Sequence, residues 1–331
     1  MHASNVLVIV NPASGRDDGA RIQEQLRNRL TAGGSTCVQR LTTGAGDAAA
    51  WAAAAGMDGF DLVVAVGGDG TLAEVVGGMC KAQRRIPIAY VPAGSANLAA
   101  RALGIESAAD AAVETVATGV AVPFDVGFLP ERGRYFLVAT AIGYPASLVR
   151  DAPRALKKRF GWAAYLFAAL RNAGHVVRPE RVEIETERGR TVYRAHTVVV
   201  MNTSVDLGIP MLPSADAHDG RLDITVLTTR NWWGVLRVLA AAILRQPRPA
   251  AVIQFSAKRV RITAHPAQPI HVDGEMVGPT PVVVEILPAA VELVLPAPQA
   301  ARPAGGPARL ASRLPALQRS PIDGPRRRQL H

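Results

Sequence analysis

The sequence predicts an α/β domain built on a parallel sheet, followed by an antiparallel β-sandwich. Two patterns and one length carry this. In the first half, short continuous apolar runs alternate with helical patterns, as a sheet covered on both faces requires. After about residue 123, strand patterns follow one another with only two helical stretches between them. At 331 residues the chain is long enough for two domains.

Taken in order, Val6–Val10 (VLVIV) ends at Asn-Pro and reads as a buried strand. Ile22, Leu26 and Leu30 recur at four-residue spacing among Arg and Gln, which makes one helical face. Ala48–Ala55 is helix-prone by composition. Leu62–Val66 (LVVAV) is a second buried strand, stopped by Gly67-Gly68, and Ile86–Val91 is a third. Beyond the boundary near Phe124–Gly127, strands are expected at Tyr135–Ile142, Val182–Thr186, Thr191–Asn202, Leu222–Leu227, Arg259–Thr263, Pro281–Leu287 and Val291–Leu295. The two helices are expected near 155–172 and 232–245. From Ala297 the chain is rich in Pro, Ala and Arg without periodicity, the composition of a disordered tail. The expected division is therefore 1–124, 125–297 and a basic tail, 298–331.

Composition excludes several classes. Cys37 and Cys80 are the only cysteines, too few for a disulfide framework and without zinc-site spacing. A reducing, cytoplasmic compartment follows from that usage. No signal-peptide pattern and no run of about 20 apolar residues is present. Of the formal net charge of +10, more than half lies in the tail, which holds seven Arg and one acid, Asp323. A mildly basic body fits an anionic substrate or surface. An aromatic content of 5% argues against base stacking on nucleic acid, and the body has no nucleic-acid motif. None of the four lysines completes a Walker A loop. A GxGxxG turn, a GxSxG elbow and an HExxH pair are also missing. The seven scattered histidines read as surface or satisfied residues.

Three small-residue turns follow the apolar strands. They are Asn11-Pro12-Ala13-Ser14-Gly15, Gly67-Gly68-Asp69-Gly70-Thr71, and Pro92-Ala93-Gly94-Ser95-Ala96-Asn97. Each lies at the carboxyl end of a parallel strand, where open α/β sheets bind ligands. The second runs into a helix marked by Leu72, Val75 and Val76. Its backbone N–H groups and the helix N-terminus would favour an anion, with Asp69 placed to hold Mg²⁺ near it. A plain βα turn would also use Gly and Asp. Late in the chain stands Val272-Asp273-Gly274-Glu275, whose Asp-Gly is by itself only a hairpin signal.

The set VNPASG (10–15), GGDGT (67–71), PAGSANLAAR (92–101) and VDGE (272–275) resembles the diacylglycerol-kinase-type lipid kinase family, and within it the soluble bacterial lipid kinases. The resemblance runs from about residue 5 to 296. GGDGT alone is shared with NAD kinases and phosphofructokinases, whose parallel-sheet domain the first half resembles. The resemblance implies that ATP sits between the two domains, lined by Asn11, Pro12, Ala13, Ser14, Gly15, Gly67, Gly68, Asp69, Gly70, Thr71, Leu72 and Ala73. Thr42, with Thr43 close behind, would contact the nucleotide, as would Ser95 and Asn97. Glu275 matches the family's proton acceptor, and Asp69 would act with Mg²⁺. Asp219 matches a metal loop, with backbone carbonyls of Asp216 and Arg221 as co-ligands and Asp125 joined to it through water.

Two departures stand out. Leu98 and Ala99 replace an Asp-Phe pair frequent in the family, and Ala73 replaces an Asn. The Gly94-Ser95-x-Asn97 turn also resembles sphingosine kinases.

The implied activity is transfer of the ATP γ-phosphate to a lipid hydroxyl, foremost diacylglycerol, giving phosphatidic acid. A sphingoid base or ceramide is the alternative acceptor. Readings of another class are an NAD kinase-like enzyme and a nucleotide-binding regulator without turnover. Such a lipid kinase meets its substrate at a membrane surface by peripheral contact, and a homodimer is compatible with it. Residues 231–245, with Trp232 and Trp233 beside Arg237 and Arg245, read either as an interfacial amphipathic helix or as a core-facing one. A weaker interfacial candidate is 155–171. The basic tail either adds attraction to anionic lipid or is a solvated extension.

Overall fold

A computed structural model describes residues 3–14, 19–143, 179–205, 215–231, 233–234, 237–238, 241 and 249–297. The expected helix near 155–172 and the tail lie outside these residues, and the 232–245 helix is described at five positions, all helical.

The first half alternates as the apolar pattern requires: β1 (Asn5–Val10), α1 (Gly19–Ala32), β2 (Thr36–Leu41), α2 (Asp47–Ala55), β3 (Leu62–Gly67), α3 (Asp69–Lys81) and β4 (Ile88–Pro92). The helices α4 (Leu98–Leu103) and α5 (Ala109–Thr118) follow. Every residue of β3 is buried, as a strand with both faces covered must be. Ile22, Leu26 and Leu30 of α1 are all buried, which matches their spacing. The strands are parallel, in the order β2-β1-β3-β4. The chain passes from β1 outward to β2, then back across to β3. A topological switch point therefore lies between the carboxyl ends of β1 and β3.

The second half holds β5 (Val120–Leu129), β6 (Arg134–Phe136), β7 (Ala139–Gly143), β8 (Glu180–Thr186), β9 (Gly189–Ala195), β10 (Thr197–Met201), β11 (Leu222–Leu227), β12 (Val252–Ala257), β13 (Arg259–His265), β14 (Pro269–Val272), β15 (Glu275–Pro279) and β16 (Val282–Leu295). The antiparallel sheet β12-β11-β10-β7-β14-β15 packs over the strands β16, β13 and β8. Val200, Ile224, Val260, Ile262 and Val284 share the core between them.

Several elements differ from the sequence reading. The run 135–142 is two strands, broken at Leu137-Val138, where both backbone N–H groups turn to the Asp273 carboxylate. The run 191–202 is likewise broken at His196, whose ring nitrogens meet the hydroxyls of Thr197 and Thr229. The runs 281–287 and 291–295 are one strand with a bulge between Leu287 and Val291. That strand pairs with β13 early and lies beside β4 late, so one ten-stranded sheet runs through both halves. The edge strand β2, mostly exposed, carries no apolar run, and β12 is half-buried.

The helices α2 and α3 approach so closely that a Cβ on Gly78 would fall onto the Ala49 carbonyl. Gly78→Ala is expected to cost about 1–3 kcal/mol by overpacking. That would lower the thermal midpoint by roughly 3–10 °C. An unchanged midpoint would show that the helix pair can separate freely.

Candidate active site

The switch point gathers the three expected turns. Asn11, after β1, donates from Nδ2 to the Thr71 hydroxyl of α3 at 3.1 Å, and its Oδ1 accepts the Ala13 N–H at 2.9 Å. The Ser14 hydroxyl closes the turn onto the Asn11 carbonyl. Thr42 follows β2, its N–H bound to the Val10 carbonyl. Gly15 lies outside the described residues. The β3 and β4 turns touch: a Cβ on Gly94 would stand 2.6 Å from the Gly68 Cα. Only glycine permits that approach, and it leaves backbone rather than side chains facing the turn. The N-terminus of α3, a 13-residue helix, has no side-chain cap. Asn97 sits at φ 47°, donates to the Gly94 carbonyl, and keeps a buried Oδ1 without a partner. Ser95 is exposed beside it. Uncapped amides, a glycine cradle and an orphaned buried oxygen are the features a nucleotide phosphate chain and its partners would fill.

Asp69 does not project freely. Its Oδ2 accepts the Leu98 N–H at 3.0 Å and its Oδ1 accepts the Ala99 N–H at 2.9 Å. The carboxylate thus joins the start of α3 to the start of α4. Because Leu98 contributes its N–H, the loss of an acid at that position does not remove this tie. Burial pushes the Asp69 carboxyl up, against the two amide bonds that lower it.

Across a narrow cleft stands the hairpin of β14 and β15, whose two-residue turn is Asp273-Gly274. Both residues have positive φ, 40° and 105°, as a type I′ turn demands. The hairpin signal and the centre of the VDGE motif are therefore the same residues. The Asp273 carboxylate accepts N–H groups from Leu137, Val138 and Ala139, at 2.8 Å for the two outer ones. Burial raises its carboxyl from 3.8 to about 6, against those three bonds and with a further push from Asp69. His271 is buried below the turn and accepts the Gly274 N–H.

Glu275 opens β15. Its Oε2 lies 3.3 Å from Arg134 Nη2, and a Cβ on Gly70 would come within 3.0 Å of its Oε1. Asp69, Gly70 and Ala73 of α3 face Asp273 and Glu275 across the cleft, with Arg134 and Tyr135 of β6 at its side. The structure thus brings Asp69 and Glu275 to one cleft. Sequence reasoning gave no role to Asp273, Arg134 or Tyr135. The Asp-Gly signal marked the first, and nothing local marked the other two. Leu72 is buried behind α3, so it packs the helix rather than facing the cleft.

The expected metal loop is separate. Asp125 is buried on β5; its Oδ2 accepts the Gly220 N–H and its Oδ1 accepts the Ala289 N–H. Asp219 accepts the Arg221 N–H, and Asp216 pairs with His218. The Arg221 guanidinium turns away to Ser256 and Glu187, leaving its carbonyl as the donor. The donors here are oxygens, which suit a hard cation. Among the described residues no group of three or more His, Cys, Asp or Glu is arranged to hold a metal.

Comparison with known proteins follows the two halves of this fold. Residues 5–129 match the family model described as diacylglycerol kinase catalytic domain. Residues 139–295 match the YegS C-terminal NAD kinase beta sandwich-like domain. A protein named diacylglycerol kinase from Bacillus subtilis (strain 168) is 32% identical over 281 residues, which cover 83% of this chain and 90% of that protein. One of the same name from Staphylococcus carnosus (strain TM300) is 25% identical, over 83% of this chain and 89% of its own. A crystal structure of a diacylglycerol kinase from Bacillus anthracis str. Sterne shares the fold, with a TM-score of 0.70, 22% identity, and coverage of 90% of this chain and 99% of that one.

The raised Asp273 carboxyl has a consequence for stability. A carboxyl raised in the folded state stabilises the fold fully below its unfolded value, and that contribution fades as pH rises through the folded value. Between pH 4 and pH 6, the melting midpoint of wild type should therefore fall relative to that of Asp273→Asn. Parallel pH profiles for the two would refute the raised value.

Proposed function

This chain belongs to the diacylglycerol kinase family, and on that premise we propose that it is a lipid kinase transferring the ATP γ-phosphate to the hydroxyl of diacylglycerol. The observation that carries the reading is Glu275 standing over the first turn of α3, beside Asp69 and Asp273. Phosphoryl transfer asks for positioning, charge neutralisation and a proton acceptor. Glu275, on the solvent side of the cleft, takes the proton of the acceptor hydroxyl as its oxygen bonds to the γ-phosphorus and the bond to the departing ADP breaks.

The glycine turns and the α3 N-terminus would hold the phosphates, with Asn11, Ser14, Thr42, Thr71, Ser95 and Asn97 around them. Mg²⁺ carried with ATP supplies neutralising charge. The carboxylates of Asp69 and Asp273, which repel one another across the cleft, form a donor set suited to it. A second hard cation at Asp219, with the carbonyls of Asp216 and Arg221, would brace the loop beside Asp125. In this division residues 1–124 bind the nucleotide and 125–297 present the acceptor.

Contact with a bilayer is peripheral in this reading. No helix among the described residues is long and apolar enough to cross a membrane. Trp233 is 73% exposed, at the start of the helical turn closed by Asn231 onto Gly234 and before Arg237. A tryptophan with neighbouring basic residues suits the interfacial region.

The test is labelled-phosphate transfer from ATP to diacylglycerol, monoacylglycerol, sphingosine and ceramide in mixed micelles, with NAD in buffer as the control. Diacylglycerol should be labelled, and chelation of Mg²⁺ should abolish the signal. Glu275→Ala should lose about 100-fold to 10,000-fold, the usual worth of a proton acceptor. Labelling of NAD alone, or no labelling despite ATP binding, would overturn the assignment.

A further inference from the structure

The cleft between α3 and the β14–β15 hairpin carries three carboxylates, Asp69, Asp273 and Glu275, and one cation, Arg134. Among the described residues that line it, Arg134 alone carries positive charge. Its attachment is rigid although its guanidinium is half-exposed. The β6 backbone pairs with β5, Arg134 opposite Leu129. The next residue, Tyr135, stacks on Phe128 with ring centroids 4.5 Å apart. It also presses on α3, where a Cβ on Gly77 would stand 2.8 Å from the Tyr135 ring. Arg134 is thus anchored to the same helix whose first turn lies under Glu275.

A half-exposed ion pair contributes little to stability. What the Arg134–Glu275 pair does is geometric: one oxygen of Glu275 faces the guanidinium at 3.3 Å and the other faces Gly70. Without Arg134 the carboxylate, at the start of a two-stranded hairpin and exposed, would have several rotamers to choose from. A proton acceptor must lie within hydrogen-bond reach of one hydroxyl, so each wrong rotamer is an inactive one.

Resting on the kinase reading above, we infer that Arg134 is a positioning residue that holds Glu275 in the orientation from which it accepts the acceptor's proton. As Glu275 takes that proton it becomes neutral. The proton resides on Glu275, the phosphorus–oxygen bond to ADP is broken, and the new one to the lipid is formed. No further reactant is needed.

The experiment is a double-mutant cycle on the full chain, read as kcat and KM for ATP with diacylglycerol micelles. The variants are Arg134→Gln, Glu275→Ala and both together, with melting midpoints recorded for each. Arg134→Gln should lower kcat about 10-fold to 100-fold, the scale of a misplaced catalytic group. Its KM for ATP and melting midpoint should stay near those of wild type. In the Glu275→Ala background the same change should cost nothing further, because residues acting as one unit are not additive. Arg134→Lys, which keeps a cation there, should fall between wild type and Arg134→Gln, and it replaces Arg134→Gln in the cycle if that variant does not fold. Wild-type kcat in Arg134→Gln, or an equal loss in both backgrounds, would overturn the inference. A wild type that labels no lipid would instead remove the kinase reading and this role with it, a result distinct from an active enzyme indifferent to residue 134.

Discussion

The final described strand, β16, is hydrogen-bonded into both halves of the molecule, and the cleft between α3 and the β14–β15 hairpin depends on that pairing. Its first part pairs antiparallel with β13, and its last part lies parallel to β4. Between them, β5 follows it antiparallel on both sides of the bulge at Leu287–Val291. Val291, Leu293, Val294 and Leu295 belong to the core of the first domain, and Val282, Val284 and Ile286 to that of the sandwich. Backbone hydrogen bonds tolerate little change in length or angle. Because β16 and β5 run within one ten-stranded sheet from β2 to β9, they tie the layer beneath α3 to the layer on which the hairpin's sheet packs. The bulge itself is secured by the buried Asp125, which receives the Ala289 N–H at φ 44° together with the Gly220 N–H.

One device recurs in the cleft. Asp69 and Asp273 each hold consecutive backbone N–H groups, two at α4 and three where β6 gives way to β7. Both carboxylates are thus oriented by the fold rather than by side-chain partners. Their bound amides oppose the desolvation that burial imposes, without cancelling it. Glu275 differs: it is exposed, and among the described residues its ion-pair partner is a side chain, Arg134. The cleft therefore combines two carboxylates fixed by backbone amides with one that is exposed. The contact of Asp69 with residue 98 uses only a peptide N–H, so it does not depend on the side chain there.

Much of the fold was legible locally. β1 and β3 announce themselves because a strand buried on both faces must be apolar throughout, and α1 because Ile22, Leu26 and Leu30 share one face. β2 was silent because an edge strand has one solvated side and TCVQRL shows no apolar run. The merger of 281–287 with 291–295 was hidden because Pro288 and Ala289 look like a chain break, whereas the sheet accommodates them as a bulge. In the site, the glycine turns and Glu275 were legible, but Arg134 and Tyr135 were not. Their placement at the cleft comes from neighbours on other elements.

By itself, the sequence determined which segments could be strands, which turns could approach an anion, and where a hairpin must reverse. Those properties follow from apolar periodicity and from the φ freedom of glycine, both local. Tertiary structure alone decided that Leu137 donates to Asp273, 136 residues away. It alone decided that Asp69 closes on the amides of α4, that Arg134 faces Glu275, and that β16 joins β4 to β13 in one ten-stranded sheet. These are matters of register and strand order, set by the packing of whole faces against one another, and no short window of residues encodes them.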